Sequence, residues 1–141
     1  MRDYKFRVWE PLNKEMCYLD FALYKFTSGR NSNKFVLPPD KQSMQNPYTM
    51  MNLEAVDVMQ YTGINDSVEK EIFDGDIVTA RKYSNTGTFT GYVHFLNGIY
   101  WVNFIGYESY YTELIDLKNA EYEPIRVIGN IYENPELMKE N

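Results

Sequence analysis

The sequence predicts a mainly β protein, a small barrel preceded by an N-terminal hairpin region and followed by a short C-terminal helix. Three observations lead there. Segments that alternate apolar and polar residues recur from Ile77 to Ile131, with the period of two that a half-buried strand requires. Two strong turn signals, Asp74-Gly75-Asp76 and Asn97-Gly98, punctuate them, each with a glycine free to take positive φ. Aromatic residues form 16% of the chain and include 13 tyrosines, a bias towards strands.

In chain order, Tyr4, Phe6 and Val8 alternate with Lys5, Arg7 and Trp9, so the first strand sets three apolar side chains on one face and two cations with an indole on the other. Pro11 and Asn13 break it, and Met16 to Leu19 return to make a hairpin with a loop longer than the tight two-residue kind. Phe21 to Phe26 suit either a strand or a short helix, because periodicity does not decide over so short a stretch. From Thr27 to Asn52 the composition shifts to Ser, Asn, Gly, Lys, Gln and Pro, with Gly29, Pro38, Pro39 and Pro47 as breakers. This long loop or linker holds two apolar islands, Phe35-Val36-Leu37 and Tyr48 to Met51. An unstructured stretch of that length inside one compact domain is uncommon. The chain is therefore expected to divide into residues 1–52, a hairpin region with its long loop, and 53–141, the barrel with its C-terminal helix.

In the second part Val56, Val58 and Gln60 alternate with Asp57, Met59 and Tyr61 in a strand ending at Thr62-Gly63, and the polar run Asn65 to Lys70 is a loop. Glu71-Ile72-Phe73 leads into the Asp-Gly-Asp turn, whose carboxylates are placed to accept from nearby backbone N–H groups, and Ile77 to Tyr83 form the next strand. After a turn at Ser84-Asn85-Thr86-Gly87, Phe89, Gly91, Val93 and Phe95 line one face of the following strand, with Gly91 marking a bulge or a barrel corner. Asn97-Gly98 predicts a two-residue type I′ hairpin, since both residues tolerate positive φ. The returning strand, Ile99 to Ile105, is apolar on both faces: Ile99, Trp101 and Ile105 on one, Tyr100, Val102 and Phe104 on the other. One face fills the barrel, and the other must be covered. Tyr111 to Leu117 suit a strand or a helical turn, Glu121 to Glu123 with Pro124 make a polar connection, and Ile125, Val127, Gly129 and Ile131 give the last strand. Asn134-Pro135-Glu136 reads as an N-cap, a proline at the first helical position and a first-turn acid, which predicts a short helix through Met138.

Composition narrows the classes of function. With 141 residues, 44% hydrophobic and 24% charged, the chain is globular in composition. A net charge of -6 repels phosphate backbones and anionic lipid surfaces, so protein partners are expected ahead of nucleic acid. Cys17 is the only cysteine, which excludes an intrachain disulfide and fits a reducing, cytoplasmic setting. The N-terminus places Arg2, Asp3, Lys5 and Arg7 where a signal peptide needs an apolar core. The longest apolar run, Ile99 to Tyr107, is interrupted by Asn103 and falls far short of the ~20 residues of a spanning helix. Membrane insertion is not expected.

No pattern in the sequence carries chemistry. His94 is the only histidine, and together with Cys17 it supplies too few ligands for a closed zinc site; no nucleophile motif accompanies it. The acids Asp66, Glu69, Glu71, Asp74 and Asp76 lack calcium-loop spacing and read as a solvated loop and a turn. Gly87, Gly91 and Gly98 are scattered over turns and strands and form no phosphate cradle. No catalytic, cofactor-binding or metal-ligating residue is therefore expected. The candidate interface is apolar: Phe35, Val36 and Leu37 in the loop, and Tyr100, Val102 and Phe104 in the strand. An alternative is a base-stacking surface of Trp101, Tyr107 and Tyr110 with Arg81, although Arg81 and Lys82 are the sole cations nearby in sequence.

Four ordered blocks carry a family resemblance: Lys5-Phe6-Arg7-Val8-Trp9 with Met16 downstream, Met59-Gln60-Tyr61-Thr62-Gly63, Glu71 to Val78, and Val127 to Pro135. Together they resemble the YopX family, found mainly in bacteriophages and prophages. The chain departs from the usual pattern at Ser67 to Lys70, where many members have a glycine turn. The resemblance implies an SH3-like barrel behind a smaller β or α+β segment, with no settled biochemical activity. The expected function is that of a non-enzymatic phage or prophage accessory protein that binds protein, itself included, as a homo-oligomer. The alternatives are a single-stranded nucleic-acid-binding barrel and an enzyme of unrecognised type.

Overall fold

Strands that alternate in sequence pair with their nearest neighbours wherever a short turn allows it, and the computed structural model shows this over the described residues, 3–11, 14–19, 34–36, 50–52, 57–81, 87–107, 110–119 and 124–139. The chain forms two compact units, Met1–Gln60 and Tyr61–Asn141.

In the first unit β1 (Phe6–Glu10) and β2 (Glu15–Leu19) make the expected antiparallel hairpin, with Val8 opposite Cys17 and both buried. The other edge of β1 pairs with the first half of β5 (Asp57–Asn65), Val8 lying opposite Val58. This central position covers more of β1 than alternation alone predicts. Arg7, expected on a solvated face, is buried, with its guanidinium carbon 6.0 Å from the Tyr18 ring centroid, whereas Tyr4 is exposed. Within the long loop β3 (Lys34–Val36) and β4 (Met50–Asn52) form a two-stranded ladder that sets Phe35 opposite Met51 and Val36 opposite Met50. The described residues of the two apolar islands are thus registered opposite each other. Leu37, Tyr48 and the stretch from Phe21 to Phe26 lie outside the described residues.

In the second unit β5 runs beyond Thr62-Gly63 to Asn65 and pairs with β6 (Glu71–Phe73), its register shifting between Tyr61 and Asn65. Gly63 at φ +83° makes the irregularity possible without ending the strand. The Asp-Gly-Asp turn forms as read: Gly75 has φ +83°, and the Asp76 carboxylate accepts the Phe73 N–H at 2.8 Å. Then β7 (Asp76–Arg81), β8 (Thr88–Leu96), β9 (Ile99–Phe104) and β10 (Tyr111–Glu113) pair in chain order, and β11 (Arg126–Asn130) returns beside β7. The five-stranded sheet β10-β9-β8-β7-β11 curls into a half-barrel, so the fold is mainly β.

Two glycines set the shape of this sheet. At Asn97-Gly98, with φ of 52° and 83°, Leu96 faces Ile99 across a two-residue turn. At Gly91 a side chain is excluded for a different reason, since a Cβ there would lie 2.7 Å from the Asn103 carbonyl oxygen and from Val102 Cγ1 on the adjacent strand. The ambiguity over Tyr111 to Leu117 resolves as both elements in succession, the short β10 followed at once by α1 (Leu114–Asn119). Leu114 and Leu117 lie three apart on one helix face and enter a core of Ile72, Val78, Ala80, Val93, Val102, Phe104 and Ile125. The C-terminal helix is a 3-10 turn, Pro135–Met138, and the Asn134 side chain does not cap it. Instead Asn134 Oδ1 accepts the Asn130 N–H at 3.2 Å.

Candidate functional site

Two of the acids weighed as cation ligands, Asp66 and Asp76, prove to be backbone clamps. Asp66 is 1% exposed; one carboxylate oxygen accepts the N–H groups of Val68 and Lys70, both at 2.9 Å, and the other accepts that of Val127 at 3.0 Å. Lys118 Nζ reaches the Asp66 carbonyl at 3.2 Å, and the Ser67 N–H bonds the Ile125 carbonyl at 2.9 Å. Burial pushes the Asp66 carboxyl up, but the hydrogen bonds from Val127, Lys70 and Val68, with the charge of Arg126, outweigh it and hold the group below the usual carboxylate value. The loop 66–70, with Glu69 at φ 64°, is thereby stitched to the start of β11 without a glycine turn. Among the described residues no three His, Cys, Asp or Glu side chains gather as a metal set.

The aromatic residues are sorted by the pleat of β9. Val102 and Phe104 point into the half-barrel at 0% and 4% exposure, so these two of the residues expected at the interface are taken up by the core. Tyr100, on the same face, packs beside the core with its ring 5.0 Å from that of Phe95. Trp101 faces the other way, edge-on to Tyr111 at 5.4 Å, and its indole N–H donates to the Leu96 carbonyl at 3.3 Å. Phe35 and Val36 lie in β3, in the first unit.

Tyr107 and Tyr110 come together at the end of β9. Gly106 takes φ +84°, the Ile105 N–H bonds the Thr90 carbonyl at 2.8 Å, the Phe104 N–H bonds the Tyr110 carbonyl at 3.1 Å, and the Tyr110 N–H bonds the Tyr107 carbonyl at 2.8 Å. This backbone folds both tyrosines against the sheet: Phe89 lies 5.7 Å from Tyr107 and Phe104 lies 5.2 Å from Tyr110, ring centre to ring centre. Even so, Tyr107 and Tyr110 remain 56% and 42% exposed. The stacking surface read from the sequence is thus divided, with Tyr107 and Tyr110 at the β9 exit and Trp101 beside Tyr111. Arg81 is exposed at the end of β7.

A cleft of about 330 Å³ opens beside the two tyrosines, lined further by Tyr92, Asn103, Ile105 and Met138. A second hollow of about 220 Å³ shares Ile105 and Tyr107 with it and is bounded by Thr90, Ile128, Glu136 and Leu137. Asn103 Nδ2 donates to the Tyr92 hydroxyl at 3.3 Å. Sequence reasoning missed Tyr92, Asn103 and Met138. The available signal was Asn103 itself, a polar residue at an outward position of an otherwise apolar strand, registered opposite Tyr92. His94 stands next along β8, opposite Trp101, with its ring 5.6 Å from Tyr92.

The family model described as YopX protein matches residues 5–139. Two solved structures resemble the chain throughout. Protein EF1440 from Enterococcus faecalis is 22% identical with a TM-score of 0.61, the match covering 99% of this chain and 100% of that one. Protein yopX from Bacillus subtilis is 21% identical with a TM-score of 0.61 over the same shares. At this identity the likeness shows the fold. No curated protein matches the chain.

Proposed function

The chain belongs to the YopX family, and from that premise we propose that it is a phage or prophage accessory protein that works without catalysis, by binding protein at the Tyr107 face of the half-barrel, other copies of itself included. The observation that carries the reading is the exposure of Tyr107 and Tyr110, 56% and 42%, on rings anchored to Phe89 and Phe104. Tyrosine supplies large contact area at small cost in conformational freedom, and it is enriched where proteins meet. The net charge of -6 argues against phosphate backbones as the ligand of this face. Further support comes from the exposed apolar tip of the β8–β9 hairpin, Phe95, Leu96 and Ile99.

A photo-crosslinking amino acid in place of Tyr107, in the full chain expressed in a bacterial host, tests the proposal. Irradiation is expected to yield adducts with protein. Adducts with RNA or DNA would move the assignment to single-strand binding, and a clean gel without any adduct would remove this face from consideration.

A further inference from the structure

We propose that the tip of the β8–β9 hairpin is a site of spontaneous covalent modification, at which the Asn97 side chain closes on the Gly98 nitrogen and reopens as isoaspartate or aspartate. The inference is independent of what the Tyr107 face binds.

The reaction needs an asparagine, an uncommitted main-chain nitrogen directly after it, and room to turn. The Gly98 nitrogen, having lost its proton to hydroxide, attacks the side-chain carbonyl carbon of Asn97. A new C–N bond forms, and the side-chain nitrogen takes a proton from water and leaves as ammonia. Water then opens the resulting succinimide. Breaking the new C–N bond gives aspartate, and breaking the original peptide bond gives isoaspartate. Solvent supplies every other reactant, and no electrons are gained or lost. Ring closure between adjacent groups draws on proximity, and asparagine is among the thermolabile residues of proteins.

Its surroundings single out Asn97. Both Asn97 and Gly98 are exposed, and nothing lies within 4 Å of where a Gly98 Cβ would stand. Among the described residues the Gly98 N–H donates to no group. At Asn65, Asn103 and Asn130 the following nitrogen is committed: Asp66 N–H to the Lys70 carbonyl at 2.8 Å, Phe104 N–H to that of Tyr110 at 3.1 Å, and Ile131 N–H to that of Gly75 at 2.9 Å. Asn134 precedes Pro135, which has no N–H to lose. The nearest counterpart is Asp74-Gly75, whose glycine shares the φ of +83°. There, however, Gly75 is buried and its N–H donates to the Val93 carbonyl at 2.8 Å. Side chains are held too: Asn65 Oδ1 accepts the Tyr61 hydroxyl at 2.7 Å, and Asn130 Oδ1 accepts the Glu133 N–H at 2.8 Å. Each of those bonds must break before the ring can close, whereas Asn97 has none to give up.

The products alter the tip. Isoaspartate runs the main chain through the former side chain, adding a methylene between Leu96 and Ile99, which now face each other across a two-residue turn with no slack for it. Either product also sets a carboxylate among Phe95, Leu96 and Ile99, which are 53%, 54% and 37% exposed. The tip thus passes from neutral to charged as the molecule ages.

The test is to hold the folded chain at neutral and mildly alkaline pH, well below its melting temperature, and to follow each asparagine by peptide mapping and mass spectrometry. Asn97 is expected to convert at a rate that rises in proportion to hydroxide, to a mixture containing isoaspartate, while Asn65, Asn103 and Asn130 keep their amides. A parallel sample in urea should convert Asn97 too and lose the protection of the other three. Gly98→Asn, shown by its melting temperature to be folded, sets a side chain beside the attacking nitrogen and should slow loss of the Asn97 amide severalfold. Asn97 intact in the folded chain while it converts in urea would overturn the inference. So would conversion no faster than at Asn103 and Asn130, aspartate with no isoaspartate, or an unchanged rate in Gly98→Asn.

Discussion

At the scale of the residue, Asp66 carries the clearest consequence. Its carboxylate is the acceptor for three backbone N–H groups, and its pKa lies below the ordinary value near 3.8. A group depressed on folding contributes stability that is fully present above the unfolded pKa and is lost as pH falls through the folded one. The chain should therefore lose this contribution on acidification below about pH 4. Asp66→Asn keeps the size but turns an amide towards donors, and it is expected to cost about 2–3 kcal/mol at neutral pH, while its stability varies less with pH across the acid range. Urea unfolding at neutral and acidic pH measures both, and a variant whose acid limb matches the parent's would contradict the assignment. The sequence showed a polar loop there and no more. Val127, the distant partner, is 61 residues away, and no local pattern announces such a contact.

At the scale of the element, the β8–β9 hairpin separates two reasons for keeping a glycine. Gly98 has nothing within 4 Å of a would-be Cβ, so Gly98→Val is costly through backbone conformation alone, roughly 1–3 kcal/mol, and Gly98→Asn should recover much of that. Gly91→Ala meets a backbone carbonyl of the next strand at 2.7 Å and is expected to cost about 1–3 kcal/mol through overpacking. Thermal melts of the three variants check the distinction; equal losses for the two Gly98 changes would refute the strain argument. The type I′ turn was legible because Asn-Gly has a mechanism tied to two neighbouring residues. Which face of β9 turns inward was not legible, because both faces are apolar and only the pairing with β8 and β10 chooses between them. Tyr111 to Leu117 was ambiguous for a third reason: a three-residue strand and a six-residue helix are each too short to establish a period. The candidate cleft was half visible, its tyrosines by their number, its Tyr92–Asn103 floor only through register.

At the scale of the whole molecule, the exposed hairpin tip argues for self-association. Phe95 and Leu96 are 53% and 54% exposed at the end of a rigid two-residue turn, and apolar surface held outward is buried most simply against another copy. Light scattering over a dilution series should show an oligomer that dissociates on Leu96→Asp; a monomer mass persisting at high concentration would reject it. Among the described residues no helix is long and apolar enough to cross a membrane. The connectivity of the half-barrel also has a meaning in time. Strands β7 to β10 each pair with the next, so their hairpins close over short loops, whereas β11 has to find β7 across the whole meander, Val127 opposite Val78, and is then pinned by Asp66. Loop closure over long separations comes late in folding because its entropy is recovered only when the contact is made. The meander is accordingly expected to form first and β11 to seal it, and on that expectation the Asp66 clamp governs how long the finished sheet stays shut.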